Sequence, residues 1–177
     1  LSIIIAWVIA IPVGVLSAVK QDSIWDYAGR IFSISGLAVP TFWAGVLTIL
    51  LLSRFFQWLP PLGYRELFED PLGNLQQLIF PALALGWTLS ATAARMTRSA
   101  MLEVMREDYV TTARSKGLKE SVIITRHALR NALIPVITLA GFMVSLVIGG
   151  TVIIETIFSL PGIGRYLMQA IQIRDFP

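Results

Sequence analysis

Hydrophobic positions in this chain run in long unbroken stretches instead of alternating with polar ones. Four stretches carry no charged side chain: Leu1–Val19, Ile31–Ser53, a third inside Pro71–Ala94 whose apolar core starts near Leu78, and Asn131–Ile154. A helix needs about 20 apolar residues to cross the hydrocarbon core. Spans are therefore predicted over residues 1–19, 31–53, 78–94 and 134–156. Nothing alternates with period two over ten-residue blocks, which argues against a membrane β-barrel. Pro12, Gly14, Pro40, Gly45, Pro81, Gly86, Gly141 and Gly149 fall inside the spans, where neighbouring helices re-satisfy the backbone groups such residues disturb. The expected fold is all-α, a polytopic membrane helix bundle forming a single domain over residues 1–177. The first stretch lacks an initiator Met, a basic leader and an A-x-A site before Lys20, so a signal peptide is disfavoured. The expectation is a chain cut at both ends, opening inside one span and stopping at Pro177.

Small residues recur at four-residue spacing within three spans, which stacks them on one helix face. They are Ala6, Ala10, Gly14 and Ala18 in the first, Ala82, Gly86, Ser90 and Ala94 in the third, and Gly141, Ser145 and Gly149 in the fourth. Lipid chains are as apolar as leucine, so membrane helices associate through the close packing that small side chains permit. All three ladders are expected to be packing faces. No charge occurs in mid-span, which argues against a proton- or ion-coupled pump. Glu155, at the end of the fourth span, is expected to be an interfacial carboxylate, hydrated or paired with a nearby Arg.

Composition agrees with lipid as part of the solvent. Of 177 residues 55% are hydrophobic and 14% charged, where soluble domains carry roughly a quarter charged. The absence of cysteine and the single histidine exclude disulfide scaffolds, thiol nucleophiles and multi-histidine metal sites. The net charge of +3 acquires meaning only from its location. Residues 95–130 hold eight Lys/Arg against four acids, whereas residues 54–70 hold Arg54 and Arg65 against Glu66, Glu69 and Asp70. The positive-inside rule therefore puts 95–133 in the cytoplasm and 54–77 outside.

This cytoplasmic segment keeps an apolar pattern. Met101, Met105, Tyr109 and Ala113 recur every four residues, as on a helix continuing from the third span. Gly117 suits the left-handed position that ends a helix. A second pattern follows in Leu118, Val122, Leu129 and Leu133, and Pro135 stands where the next span begins. The result is a helix–Gly–helix elbow. By these features alone it is a solvated loop with interfacial helices, a docking element that seats in the groove of a soluble partner, or a basic patch for anionic lipid or nucleic acid. Interleaved acids and the lack of an aromatic platform speak against nucleic acid.

The run Tyr109-Val-Thr-Thr-Ala-Arg-Ser-Lys-Gly-Leu118, followed by Arg126-His-Ala-Leu-Arg-Asn-Ala-Leu-Ile-Pro135, resembles the EAA loop of ABC-importer permeases. The dipeptide/oligopeptide/nickel branch is the closest likeness. Phe42-Trp43, Leu59-Pro-Pro-Leu-Gly-Tyr64, Gly149-Gly-Thr-Val-Ile-Ile-Glu-Thr-Ile-Phe158 and Pro161-Gly-Ile-Gly164 extend it over essentially the whole chain. Thr111 and Thr112 stand where the generic motif has Glu and Ala, and Gly117 to Pro135 is longer than the generic spacing, as in the peptide branch. The resemblance implies a membrane subunit of about six spans, of which this chain holds four, in a bacterial or archaeal inner membrane. It implies partners as well: cytoplasmic ATP-binding subunits, a second homologous permease, an extracytoplasmic solute-binding protein and the bilayer itself. Ala113, Arg114, Ser115, Lys116, Gly117, Leu118, Lys119, Glu120 and Ser121 are then the expected contact with the ATPase subunit.

The residues agree with that division of labour. No G-x-x-x-x-G-K-[ST] occurs, nor any Gly-Lys pair, so ATP phosphates are not cradled here. No catalytic site and no cofactor are expected on this chain, and ATP would be used by the partner subunits. Importer permease is the expected function, for peptides, nickel chelates or glutathione. A non-transporting membrane anchor with the same elbow is the rival. A secondary transporter is disfavoured by charge-free spans and the lack of inverted repeats.

Overall fold

The computed structural model describes residues 1–61 and 63–174, with the backbone alone for Gly149 and Gly150. The described residues form helices: α1 (Ser2–Val19), α2 (Ile24–Ala38), α3 (Thr41–Phe56), α4 (Pro71–Val104), α5 (Asp108–Ser115), the single turn α6 (Glu120–Val122), a π-helical turn Ile123–Ala128, α7 (Leu129–Gly150), α8 (Val152–Ile157) and α9 (Ile163–Gln172). Three are long and apolar enough to cross a membrane, α1, α4 and the continuous run Glu120–Ile148, and the bent pair α2–α3 brings the number to four when counted as one broken span. Leucine and isoleucine side chains point outward along them, with Ile4, Ile31, Ile34, Ile134 and Ile137 among the exposed ones. The small side chains are the ones inside. This inversion is what a lipid solvent permits, because leucine against leucine gains nothing over leucine against an acyl chain.

The centre of the bundle is the α1–α4 contact. Ala6, Ala10, Gly14 and Ala18 are all buried on α1, and Ala82, Gly86, Ser90 and Ala94 are all buried on α4. The backbones come so close that a Cβ built on Gly14 would stand 2.6 Å from Thr97 Cβ and 2.7 Å from the Ala94 carbonyl oxygen. Two hydroxyls buried in these contacts bond back to their own helix. Thr97 donates to the Ala93 carbonyl at 2.8 Å and Ser33 to Gly29 at 2.9 Å. Such bonds spare the hydroxyl the cost of an unmet partner in a dry contact.

α4 is the longest element at 34 residues, about 51 Å at 1.5 Å per residue, against a hydrocarbon thickness of about 30 Å. It therefore stands well beyond the spanned layer. Its start is fixed by Pro71 at the first helical position and by Asp70, whose carboxylate accepts the Gly73 N–H at 2.9 Å. That N–H, and then the Arg65 guanidinium 2.5 Å away, hold the Asp70 carboxyl below its ordinary pKa. The preceding loop is tied to the same helix. Buried Gln77 accepts the Arg65 N–H at 3.1 Å and donates to the Gly63 carbonyl at 2.9 Å, and Trp58 stacks tilted on Phe80 with centroids 4.6 Å apart.

Two expectations need correction. The second span is not a straight helix over 31–53. It starts at Ile24 and bends by 103° between α2 and α3. Pro40 has no N–H to continue α2, and proline disfavours helical backbone at the residue before it, where Val39 is extended (φ −86°, ψ 119°). The small-residue ladder of the fourth span is not an intrachain packing face either. Gly141 and Ser145 are exposed, with nothing within 4 Å of a Cβ built on Gly141, while Ala132, Val136 and Met143 are the buried positions of α7. Gly149, the third rung, lies outside the described residues as far as its face is concerned. Larger side chains fill this contact because α7 lies across the α1–α4 pair, where Met143 packs beside Ala6, Ala10 and Ala94.

These two glycines make a direct comparison. Gly14→Val overpacks the α1–α4 contact and is expected to destabilise the protein by about 1–3 kcal/mol. Gly141→Ala should be neutral to stabilising by up to about 1 kcal/mol, through helix propensity. Thermal unfolding of the detergent-purified variants measures both.

Candidate functional site

The candidate site is the elbow between α4 and α7. α4 ends at Val104, and a turn through Met105–Glu107 reorients the chain. Glu107 in extended backbone (ψ 147°) precedes α5. The expected continuous stripe Met101–Met105–Tyr109–Ala113 is therefore split. Met101 is buried in the bundle beside Ala18, Ala100 and Ala132, Tyr109 is exposed, and Val110 takes its place inside. Val110, Ala113 and Ile123, with Met105 against them, form a small core belonging to the elbow itself. A short loop with its own core keeps one shape where a solvated loop would not.

Gly117 terminates α5 as expected, at φ +76°. Its N–H donates to the Arg114 carbonyl at 2.9 Å, and the next N–H, of Leu118, reaches the Ala113 carbonyl at 3.3 Å. These two bonds are the Schellman arrangement, which needs a left-handed residue at this place and costs most residues other than glycine and asparagine about 1–2 kcal/mol. Across the turn the Arg114 guanidinium donates to Glu120 at 2.7 Å. That contact raises the Arg114 pKa above its ordinary value. Both partners are about half exposed, so the pair adds little to stability and acts mainly on the turn's geometry.

The return limb departs from the expected pattern. Leu118 is exposed and Val122, Leu129 and Leu133 are half-buried, whereas Ile123, Ala128, Ala132 and Val136 are buried. The step from Ile123 to Ala128 is five residues and each later step is four. The cause is the π-helical turn Ile123–Ala128. It adds one residue to the spiral, so Ile123 faces the elbow core while Ala128 faces the bundle. Asn131 then donates to the Tyr109 hydroxyl at 2.7 Å, tying α7 to α5.

Of the expected contact residues, Arg114, Ser115, Lys116, Gly117, Leu118, Lys119, Glu120 and Ser121 form one exposed rim of the elbow. Ala113 does not join them. It is 7% exposed and packs inward against Val110 and Ile123, because it stands three residues after Val110 on the inner face of α5.

A second polar cluster sits on the same side of the bundle and was not singled out in the sequence. Asp26, fully buried in the first turns of α2, accepts hydrogen bonds from four residues. Arg98 of α4 donates Nε to Oδ1 at 2.7 Å and Nη2 to Oδ2 at 2.9 Å. Arg30 donates at 3.2 and 2.6 Å, the Ser17 hydroxyl at 2.5 Å, and the Asp22 N–H at 3.1 Å. Asp22 turns into left-handed backbone (φ 58°) to aim that N–H. The i,i+4 pairing of Asp26 with Arg30 is legible in the sequence; the partner 72 residues away is not. Glu155, on the opposite side, accepts the Thr151 hydroxyl at 2.5 Å and the Arg165 main-chain N–H at 2.8 Å. Its partner is thus the first turn of α9, not a guanidinium.

These features define an all-α, multi-pass membrane protein with an ordered elbow exposed between two of its spans. The chain belongs to the binding-protein-dependent transport system inner membrane component family, whose model matches residues 10–177. A Brucella suis relative whose name includes the words peptide transport system permease protein is 46% identical over 98% of this chain and 57% of its own length. The Di/tripeptide transport system permease protein DppB of Pseudomonas aeruginosa is 44% identical over 93% of this chain and 55% of its own. The Dipeptide transport system permease protein DppB of Escherichia coli K12 is 40% identical, over 99% and 59%. The chain spans little more than half the length of these relatives.

Gly117→Pro cannot reach φ +76° and removes the N–H given to Arg114. It should raise hydrogen exchange at Leu118 and Ile123 by at least about tenfold, the equivalent of about 1.4 kcal/mol, while Gly117→Asn, which tolerates left-handed backbone, changes it less. Exchange mass spectrometry over 108–128 reads the difference.

Proposed function

We propose that this chain is the membrane-spanning part of a permease subunit in an ATP-driven importer for peptides or related small solutes. The observation that carries the reading is the elbow: an exposed rim at residues 114–121, held in one shape by its own core and by the Gly117 turn, at the end of the longest helix of the bundle. A rim that is ordered yet left exposed by the other described residues is what helix-in-groove docking requires. The family and the peptide-permease names of its relatives support the same reading.

In this proposal the rim seats in a groove of a cytoplasmic ATP-binding subunit, and that subunit uses the ATP. A second, homologous permease completes the translocation path, and an extracytoplasmic binding protein delivers the solute. The setting is the inner membrane of a bacterium or archaeon. Closure of the ATPase pair displaces the elbow, and α4, rigid along its length, carries the displacement into the bundle. Dipeptides and tripeptides lead as solutes because two of the relatives carry those words in their names.

The test uses the permease that contains this segment, reconstituted with its ATPase subunits, second permease and binding protein. ATP-dependent uptake of labelled dipeptide into proteoliposomes is expected. Removing residues 111–122 should abolish both uptake and co-purification of the ATPase. Co-purification of a cytoplasmic protein with no solute flux under any tested peptide would instead favour a membrane anchor.

A further inference from the structure

Asp26 is, among the described residues, the one acid with no exposed surface. Its carboxylate joins three helices at a single point: Ser17 near the end of α1, Asp22 in the turn that follows, Arg30 on α2 and Arg98 on α4. Arg98 and Arg30 balance Asp26 and Asp22, so the group as a whole is neutral. The bidentate fork of Arg98 fixes the angle between α2 and α4 as well as their distance.

The position of this cluster relative to the elbow is informative. Arg98 lies six residues before the end of α4 and ten before α5 begins. A displacement carried by α4 therefore passes the cluster before it reaches the middle of that span. Next to it the three helices are too close to slide past one another. A Cβ on Gly14 meets Thr97, one on Gly29 meets Ser17 at 3.1 Å, and one on Gly36 meets the Ala91 Cβ at 2.5 Å. On its far side α2 leads to the 103° bend at Pro40 and on into α3.

We propose that Asp26 and Arg98 are a positioning pair for transport: the pair stays closed through the cycle, makes α1, α2 and α4 one rigid body, and so delivers the elbow's motion to the bent α2–α3 span. This rests on the importer reading above. A purely structural role would make Asp26 matter for assembly alone. A positioning role makes it matter for the ratio of solute moved to ATP used, because the elbow could still engage the ATPase while its motion was lost between α4 and α2.

The experiment measures uptake and ATP hydrolysis together in the reconstituted complex carrying Asp26→Asn, Arg98→Gln, Arg98→Lys or the Asp26→Asn/Arg98→Gln double substitution. Removing Arg98 leaves Asp26 with Arg30 alone and unties α4 from α2, while removing the Asp26 charge leaves both guanidinium groups without it. Expected is hydrolysis within about twofold of the unmodified complex and uptake per ATP lower by at least about tenfold, with the double variant no worse than either single one. Arg98→Lys, which keeps the charge and loses the fork, should fall between, and it carries the test if the other variants fail to assemble. Unchanged uptake per ATP in normally assembled complex overturns the proposal, as does a parallel loss of uptake and hydrolysis. Absence of ATP-dependent uptake in the unmodified complex overturns the importer reading instead, and this inference with it.

Discussion

The closeness of α1 and α4 is the constraint on which the rest depends. A bilayer offers no hydrophobic reward for bringing two apolar helices together, so their attraction is van der Waals contact and is lost with fractions of an ångström. Gly14 against Thr97 and Ala94, and Gly86 against Ile5 and the Ser2 carbonyl, make such contact possible. Leucine or isoleucine at these positions would hold the backbones apart and leave voids between them. Because α4 is gripped along this face, its overhanging end has a fixed direction, and the elbow it carries has a fixed place.

Polar chemistry is placed at the ends of that contact. On the elbow side, four hydrogen-bonding residues converge on Asp26; on the other, Asp70, Asn74 and Gln77 order the loop against the start of α4, with Asn74 donating to the Arg65 carbonyl at 2.5 Å. Between these ends the hydroxyls of Ser33, Ser90 and Thr97 bond only to their own helices. The lipid-exposed middle is held by shape and the two ends by directional bonds. An elbow moving at one end would thus act on a lever stiff at both.

The sequence reveals the parts governed by local rules. Four-residue spacing of small side chains located the packing faces of α1 and α4, and Gly117 announced its own left-handed turn. Four features needed the folded chain. Pro40 looks in sequence like Pro12, Pro81 and Pro135, which stay within continuous helices, so the spacing of prolines does not tell at which one the chain turns. Gly141 and Ser145 repeat the α1 spacing without its neighbours, because α7 meets the bundle through Ala132, Val136 and Met143. The π-helical turn displaces the buried positions of the return limb by one residue, and no residue type signals that. Asp26 is the clearest case: beside Arg30 it reads as an ordinary surface pair, and its burial follows from Arg98, a partner remote in the chain.

The central claim is that the rim at 114–121 is gripped by a separate nucleotide-hydrolysing subunit. Residues 1–177 hold no cysteine, so single cysteines can be placed at Ser115 and Lys119, with Gly141, exposed on α7, as a control, each labelled with a short photocrosslinker in native membranes. The account predicts that both rim positions capture one and the same ATP-binding protein and that Gly141 does not. Capture of phospholipid alone from the rim would contradict it.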